Sequence, residues 1–121
     1  MTEISNSKQY DLEERTYQFT KNVSIFCRNL LKTTSNIEYI KQVIRSSGSV
    51  GANYIEANES LSKKDFVMRI KICRKEAKES AYWLRLIIET NPEKFTKEGG
   101  LFLNESIELK KIFSSILSKS Q

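Results

Sequence analysis

Hydrophobic residues recur every three or four positions along most of the chain, which is the period of amphipathic helices. The pattern predicts four helices, at about residues 12–31, 36–61, 63–91 and 101–117. In the first helix the core-facing positions alternate four and three apart, the spacing of helices that pack nearly side by side. These positions are Leu12, Thr16, Phe19, Val23, Phe26 and Leu30, and the third helix repeats the spacing at Phe66, Ile70, Cys73, Ala77, Ser80, Leu84 and Ile87. Four helices with short connections predict an all-α fold, an antiparallel up-down-up-down four-helix bundle that residues 1–121 form as a single domain.

Polar side chains that accept hydrogen bonds from a helix's first free amides predict where three of these helices begin. They are Asp11 for the first helix, Thr34 or Ser35 for the second and Ser62 for the third. Asn91-Pro92 predicts the end of the third helix, because proline cannot continue the hydrogen-bond ladder. Gly99-Gly100 predicts a break before the fourth.

The second helix contains a run of very small residues, Ser46-Ser47-Gly48-Ser49-Val50-Gly51-Ala52. Apolar residues continue the helical pattern on both sides of the run, at Ile37, Ile40, Ile44, Tyr54, Ile55 and Leu61. A glycine inside a helix costs roughly 1 kcal/mol relative to alanine. The run therefore predicts a close approach by neighbouring helices and indicates a packing role rather than a chemical one.

Composition limits the classes of protein that fit this chain. The 121 residues are 39% hydrophobic and 29% charged, which is typical of one globular domain. No apolar stretch approaches the ~18 residues of a membrane span, and the polar first ten residues lack the order of a signal peptide. We therefore expect a cytoplasmic protein with no membrane contact.

The residues that usually carry enzyme chemistry are scarce. The chain has no histidine, which removes Ser/His and Cys/His nucleophile pairs and the HExxH metal motif. Cys27 and Cys73 lie on apolar stripes, so we expect buried thiols. The pairs Glu56/Glu59 and Glu76/Glu79 have metal-ligand spacing, but ion pairing with Arg45 or Arg74 is favoured because a buried charge needs a partner. We expect no enzymatic activity, no metal and no cofactor.

The formal net charge is +5, and the excess is concentrated on the third helix. Residues 63–91 carry eight basic and four acidic side chains. Five of the basic residues are spaced seven, four, three and seven apart, which places them on one helix face; they are Lys64, Lys71, Lys75, Lys78 and Arg85. Such a stripe could neutralise phosphates along RNA or DNA, but taken by itself it favours the alternative of a solvated face that keeps the protein soluble.

The middle of the chain resembles the bacterial four-helix-bundle proteins encoded in intervening sequences of 23S rRNA genes. The motif positions are Arg45, Ser46, Ser49, Val50, Asn53, Tyr54 and Glu56, then Lys64-Asp65-Phe66, then Glu79 and Trp83-Leu84. The resemblance implies a bundle that assembles into a ring-like homopentamer, with a structural role for Arg45, Ser46, Ser49, Asn53, Glu56, Glu79 and Trp83, and it implies no known activity. The related accessory variability determinants of diversity-generating retroelements look like the same pentamer used as a basic nucleic-acid-binding partner.

Two functional hypotheses remain open at the level of sequence. The first is an oligomeric bundle that binds nucleic acid through the third helix, and the second is a structural or protein–protein interaction module. Both need the same bundle and surface charge, so the sequence does not distinguish them. We expect association of subunits because Val50, Tyr54 and Trp83 lie off the main seams and would leave apolar surface exposed on a lone bundle.

Overall fold

The helices predicted from the hydrophobic pattern are all present in the computed structural model, which describes the backbone of residues 2–120 and the side chains of residues 11–120. They are α1 (Thr2–Cys27), α2 (Thr34–Asn58), α3 (Lys63–Thr90) and α4 (Thr96–Ser120), and a short 3-10 turn, Glu93–Phe95, precedes α4. Residues 2–120 contain no strand. The all-α prediction is confirmed.

The four helices pack as an antiparallel bundle in chain order. α3 lies between α2 and α4 and packs along both, while α1 closes the bundle against α2 and α4. The predicted core-facing positions of the first and third helices are buried, except Leu12 and Phe66, which are half-buried. The largest fully buried side chains are Phe26, Phe113, Ile70, Leu84, Ile87 and Leu109. These six come from α1, α3 and α4, and α2 adds the fully buried Val43 and Val50, so every helix contributes to the core.

The buried face of α2 is built largely from small side chains, and of the helix's four isoleucines only Ile40 packs against the core. Its buried residues are Asn36, Val43, Ser46, Ser47, Val50, Gly51, Tyr54 and Ala57. By contrast, Ile37, Ile44 and Ile55 are 50%, 41% and 49% exposed. They lie seven and eleven residues apart, on the helix face that also carries Gly48 and Gly51.

Three helices begin at residues other than those predicted, and for α1 and α2 the predicted caps were wrong. Asp11 was predicted to cap the first helix, but it lies inside α1, because residues 2–10 contain neither glycine nor proline to break the helix. The cap of α2 is Thr33, whose side chain accepts a hydrogen bond from the amide of Asn36. The prediction of Thr34 or Ser35 was therefore wrong by one or two residues. Ser62 is confirmed as the cap of α3, since its hydroxyl accepts from the amide of Asp65.

The fourth helix begins at Thr96 and includes the two glycines that were predicted to precede it. Gly99 is buried where α4 crosses α1 and α3. A β-carbon there would lie 2.8 Å from Ile88 Cγ1 and 3.2 Å from Phe26 Cζ. This glycine therefore permits a close approach inside a helix and does not break it.

Candidate nucleic-acid interface

All five residues of the predicted basic stripe lie on the outside of the bundle. Lys64, Lys71, Lys75, Lys78 and Arg85 are exposed, and they lie on the side of α3 opposite its buried residues. Their spacing in the sequence therefore predicted the correct face. Their relation to α4, which the spacing does not specify, decides which of them act together.

Three stripe lysines line a shallow groove between α3 and α4. The groove has a volume of about 520 Å³ and is lined by Lys71, Arg74, Lys75 and Lys78 from α3, with Lys110 and Ser114 from α4. Among the side chains of residues 11–120, none of these five cations has a carboxylate oxygen within 4.0 Å. The groove therefore concentrates positive charge without direct ion pairing.

The other two residues of the stripe lie outside this groove. Arg85 pairs with Glu89 one turn further along α3, with Nε 3.1 Å from the carboxylate. Lys64 lines a second depression near the start of α3, which Lys71 also borders. The structure thus separates the stripe into a central group and two outlying members.

Sequence reasoning missed two members of the groove, Arg74 and Lys110. Arg74 lies three residues after Lys71, so helical spacing could have included it, but it was considered as a partner for buried carboxylates. Lys110 has no sequence signal, because only the packing of α4 against α3 brings it to this surface. The groove is therefore a property of the folded bundle and not of the third helix alone.

The residues singled out by the family motif lie mainly between α2 and α3. Arg45 binds two carboxylates of α3, with Nη1 3.4 Å from Glu76 and Nη2 in contact with Glu79. Glu79 also accepts a hydrogen bond of 3.0 Å from Nε1 of Trp83. Burial acts to raise the pKa of Glu79, but the hydrogen bonds from Trp83 and Arg45 outweigh it and hold the pKa below its usual value. Arg45 of α2 and the three side chains of α3, Glu76, Glu79 and Trp83, thus form a polar contact between the two helices.

The remaining motif positions continue this polar contact along α2. Ser46 Oγ lies 2.8 Å from the hydroxyl of Ser80 on α3. Asn53 donates to the carbonyl and hydroxyl of Ser49, and its own carbonyl accepts a 3.0 Å hydrogen bond from Arg69 of α3. Glu56 is exposed, and its backbone carbonyl accepts a 3.3 Å hydrogen bond from the hydroxyl of Ser60, while no hydrogen bond to its carboxylate is found within residues 11–120.

The structure also shows where the cysteine thiols and the possible metal ligands lie. Both cysteine thiols are buried and free, which confirms the sequence prediction, and burial raises the pKa of Cys27 to about 11 and that of Cys73 to about 12. Within the described residues, no three acidic or cysteine side chains are grouped to hold a metal ion. The helices described are also too short or too polar to cross a membrane.

Comparison with known proteins agrees with the motif and the fold. A family model described as 23S rRNA-intervening sequence protein matches residues 8–115. A solved structure from Bacteroides thetaiotaomicron, described as a protein of unknown function from the S23 ribosomal protein family, is 30% identical with a TM-score of 0.78. The alignment covers 92% of this chain and 98% of that one. None of the curated proteins matches the chain.

Proposed function

We propose, from the premise that this chain belongs to the 23S rRNA-intervening sequence protein family, that it is a non-enzymatic, homo-oligomeric cytoplasmic protein that binds RNA or DNA. The binding surface is the groove lined by Lys71, Arg74, Lys75, Lys78 and Lys110, which we call the basic groove. The observation that carries the proposal is the convergence of five cations from two helices, none with a carboxylate in contact among the described residues.

Clustered cations without ion-pair partners attract phosphate groups and release the counterions that surround a nucleic acid. Lys71 and Lys78 are seven residues apart, about 10 Å along the helix axis, so several phosphates can be bound along the groove. The residues that line it include no aromatic side chain for base stacking. We therefore expect the basic groove to contribute binding that depends on salt and not on base sequence.

The absence of a catalytic role is proposed from the chemistry of the side chains. The chain has no histidine to act as a general base near neutral pH. Both thiols are buried, and their raised pKa values keep them protonated, so neither is a ready nucleophile. Binding is the activity that the exposed basic surface favours.

Homo-oligomerisation is proposed from the exposed isoleucines of α2. The sequence predicted that Val50 and Tyr54 take part in association, but both are buried in the subunit core and cannot contact another subunit. Ile37, Ile44 and Ile55 instead form an apolar line on the outside of the bundle, which we call the isoleucine line. Its burial between subunits removes apolar surface from water, and the family resemblance implies five subunits. A ring repeats the basic groove once per subunit and so raises the avidity for a long polyanion.

Neutralising the basic groove tests nucleic-acid binding directly. We expect the triple variant Lys71→Gln, Lys75→Gln and Lys78→Gln to weaken binding to RNA and DNA and to flatten the dependence of log K on log salt. The slope should fall by about 2 to 3 for each groove engaged, because every phosphate that a groove no longer neutralises lowers it by about 0.7–0.9. Fluorescence anisotropy across a salt series measures both quantities.

The matched control removes the same charge elsewhere. Lys21, Lys41 and Lys97 are exposed on α1, α2 and α4 outside the basic groove, and changing all three to glutamine lowers the net charge equally. This control should retain the wild-type slope. Equal losses in the two triple variants would contradict the groove and indicate a diffuse effect of net charge. A wild type without salt-sensitive binding at low ionic strength would favour the interaction-module hypothesis, with the isoleucine line as its surface.

A further inference from the structure

A second depression, next to the basic groove, has an apolar floor. It lies between the start of α3 and the end of α4, has a volume of about 550 Å³, and is lined by Lys63, Lys64, Val67, Met68, Lys71 and Ser120. Its surface is mostly apolar, which fits a lining of Val67, Met68 and the aliphatic stems of lysines, and Met68 is 50% exposed. We call it the Met68 pocket.

The chemistry of the Met68 pocket favours a ligand that is apolar in the middle and negative on either side. The methionine side chain is flexible and polarizable, so it adapts to flat or irregular apolar groups. Lys64 and Lys71 are on opposite sides of Met68 along α3, about 10 Å apart at 1.5 Å per residue. A nucleotide base flanked by its two phosphates matches this order of cation, apolar surface and cation.

The position of the Met68 pocket favours a nucleotide over an acyl chain with an acidic head group. Lys71 borders both the Met68 pocket and the basic groove, so the cations continue from Lys63 at the start of α3 to Lys110 on α4. An acyl chain with one acidic head group would use only the pocket and its nearest lysine. A linear polyanion uses the whole series, which favours a nucleic-acid strand.

We propose that the Met68 pocket accepts an unstacked base of a single-stranded nucleic acid, with the flanking phosphates bound by Lys64 and Lys71. The inference rests on the proposed function and adds the class of nucleic acid. Bases in a duplex are paired and stacked, and only a single strand presents one that can be turned into a protein pocket without that cost. The protein should therefore prefer single strands over duplexes of equal length.

Substitution of Met68 tests this preference with the full-length protein. Met68→Gln keeps the length of the side chain and the net charge but removes the apolar contact. We expect it to weaken binding of a 12-nucleotide single strand by about fivefold or more. Removing a side chain on which one bound base stacks weakens binding by at least about this factor. Binding of the matched duplex and both salt slopes should stay at wild-type values. A 2-aminopurine base in the single strand reports its environment by fluorescence.

The control is Leu61→Gln, because Leu61 is fully exposed and lies outside the Met68 pocket. It should leave the affinities for single strand and duplex unchanged.

Two results would contradict the base pocket and leave the proposed function standing, provided that the triple lysine variant still reduces binding. In the first, Met68→Gln has no effect; in the second, it weakens single-strand and duplex binding equally. If laurate binds in a Met68-dependent manner and the base gives no signal, the pocket belongs to an acyl anion and the inference is overturned. Failure of the wild type to bind any nucleic acid would overturn both proposals.

Discussion

Gly51 shows why a glycine can be kept in the middle of a helix despite its cost. A β-carbon built on it would lie 3.0 Å from Thr16 Oγ1 and 3.3 Å from Thr16 Cβ on α1. The Thr16 hydroxyl donates to the carbonyls of Leu12 and Glu13, each at 2.9 Å, so turning it away would break these hydrogen bonds. Gly48 differs, because its β-carbon would meet Thr20 Oγ1 at an ordinary 3.7 Å. Of the two glycines in the run, Gly51 is the one that close packing requires.

This difference predicts opposite effects for one substitution at two positions. Gly48→Ala should raise the free energy of unfolding by up to about 1 kcal/mol, because alanine is the better helix former. Gly51→Ala should lower it by about 1 kcal/mol, since overpacking costs roughly 1–3 kcal/mol and exceeds the helical gain. Urea unfolding followed by circular dichroism measures both. A stabilised Gly51→Ala would show that α1 moves aside freely and that the run has no packing role.

At the scale of helices, the sequence predicted which faces are buried better than it predicted the residues at which helices begin and end. The four-three spacing identified the buried sides of α1 and α3, because burial imposes that period on the sequence. The end of α3 at Asn91-Pro92 follows from proline's missing amide and was also predicted correctly. The start of α4 was not, because the role of Gly99 depends on contact with Ile88 and Phe26, which are distant in sequence.

The same limit applies to the candidate site. The exposure of the lysine stripe follows from the period of one helix, so the sequence was enough to predict it. The basic groove and the Met68 pocket each need α3 and α4 together, and the pairing of these helices leaves no periodic signal in either. In α2, apolar residues lie on two sides of the helix, so hydrophobicity alone did not distinguish the isoleucine line from the core.

The contact between α2 and α3 gives a prediction about pH. The folded protein lowers the pKa of Glu79 below its usual 4.5, so the charged form is favoured in the fold. The resulting stability is present above about pH 4.5 and is lost as the pH falls through the lower, folded pKa. Glu79→Gln should therefore destabilise the protein at pH 7, by about 1 kcal/mol or less for a partly exposed pair. It should also reduce the loss of stability between pH 6 and pH 3.

Glu56→Gln provides the control for this experiment. Glu56 is a motif position like Glu79, but its side chain is exposed. Thermal unfolding at several pH values should give the same profile for Glu56→Gln and the wild type. An unchanged acid profile in Glu79→Gln would show that the contact of Glu79 with Arg45 and Trp83 does not contribute to the pH dependence of folding.

For the whole molecule, the proposed binding and association surfaces lie on different helices. The basic groove is formed by α3 and α4, whereas the isoleucine line runs along α2. α2 and α4 flank α3 on its two sides. The isoleucine line and the basic groove share no residue, and in a ring the line of one subunit contacts a different surface of the next. Each proposed surface can therefore be changed by substitution without direct change to the other.

Ile44→Glu tests the assembly at the centre of the isoleucine line. Burying one isoleucine contributes about 1.5–3 kcal/mol, and a carboxylate placed there must instead be desolvated without a partner. We expect light scattering at micromolar concentration to show an oligomer for the wild type and dissociation towards the 14.1 kDa monomer for Ile44→Glu. Leu61→Glu adds the same charge at a fully exposed position and should leave the assembly intact. A wild type that is monomeric, or a Leu61→Glu variant that dissociates equally, would contradict association through α2.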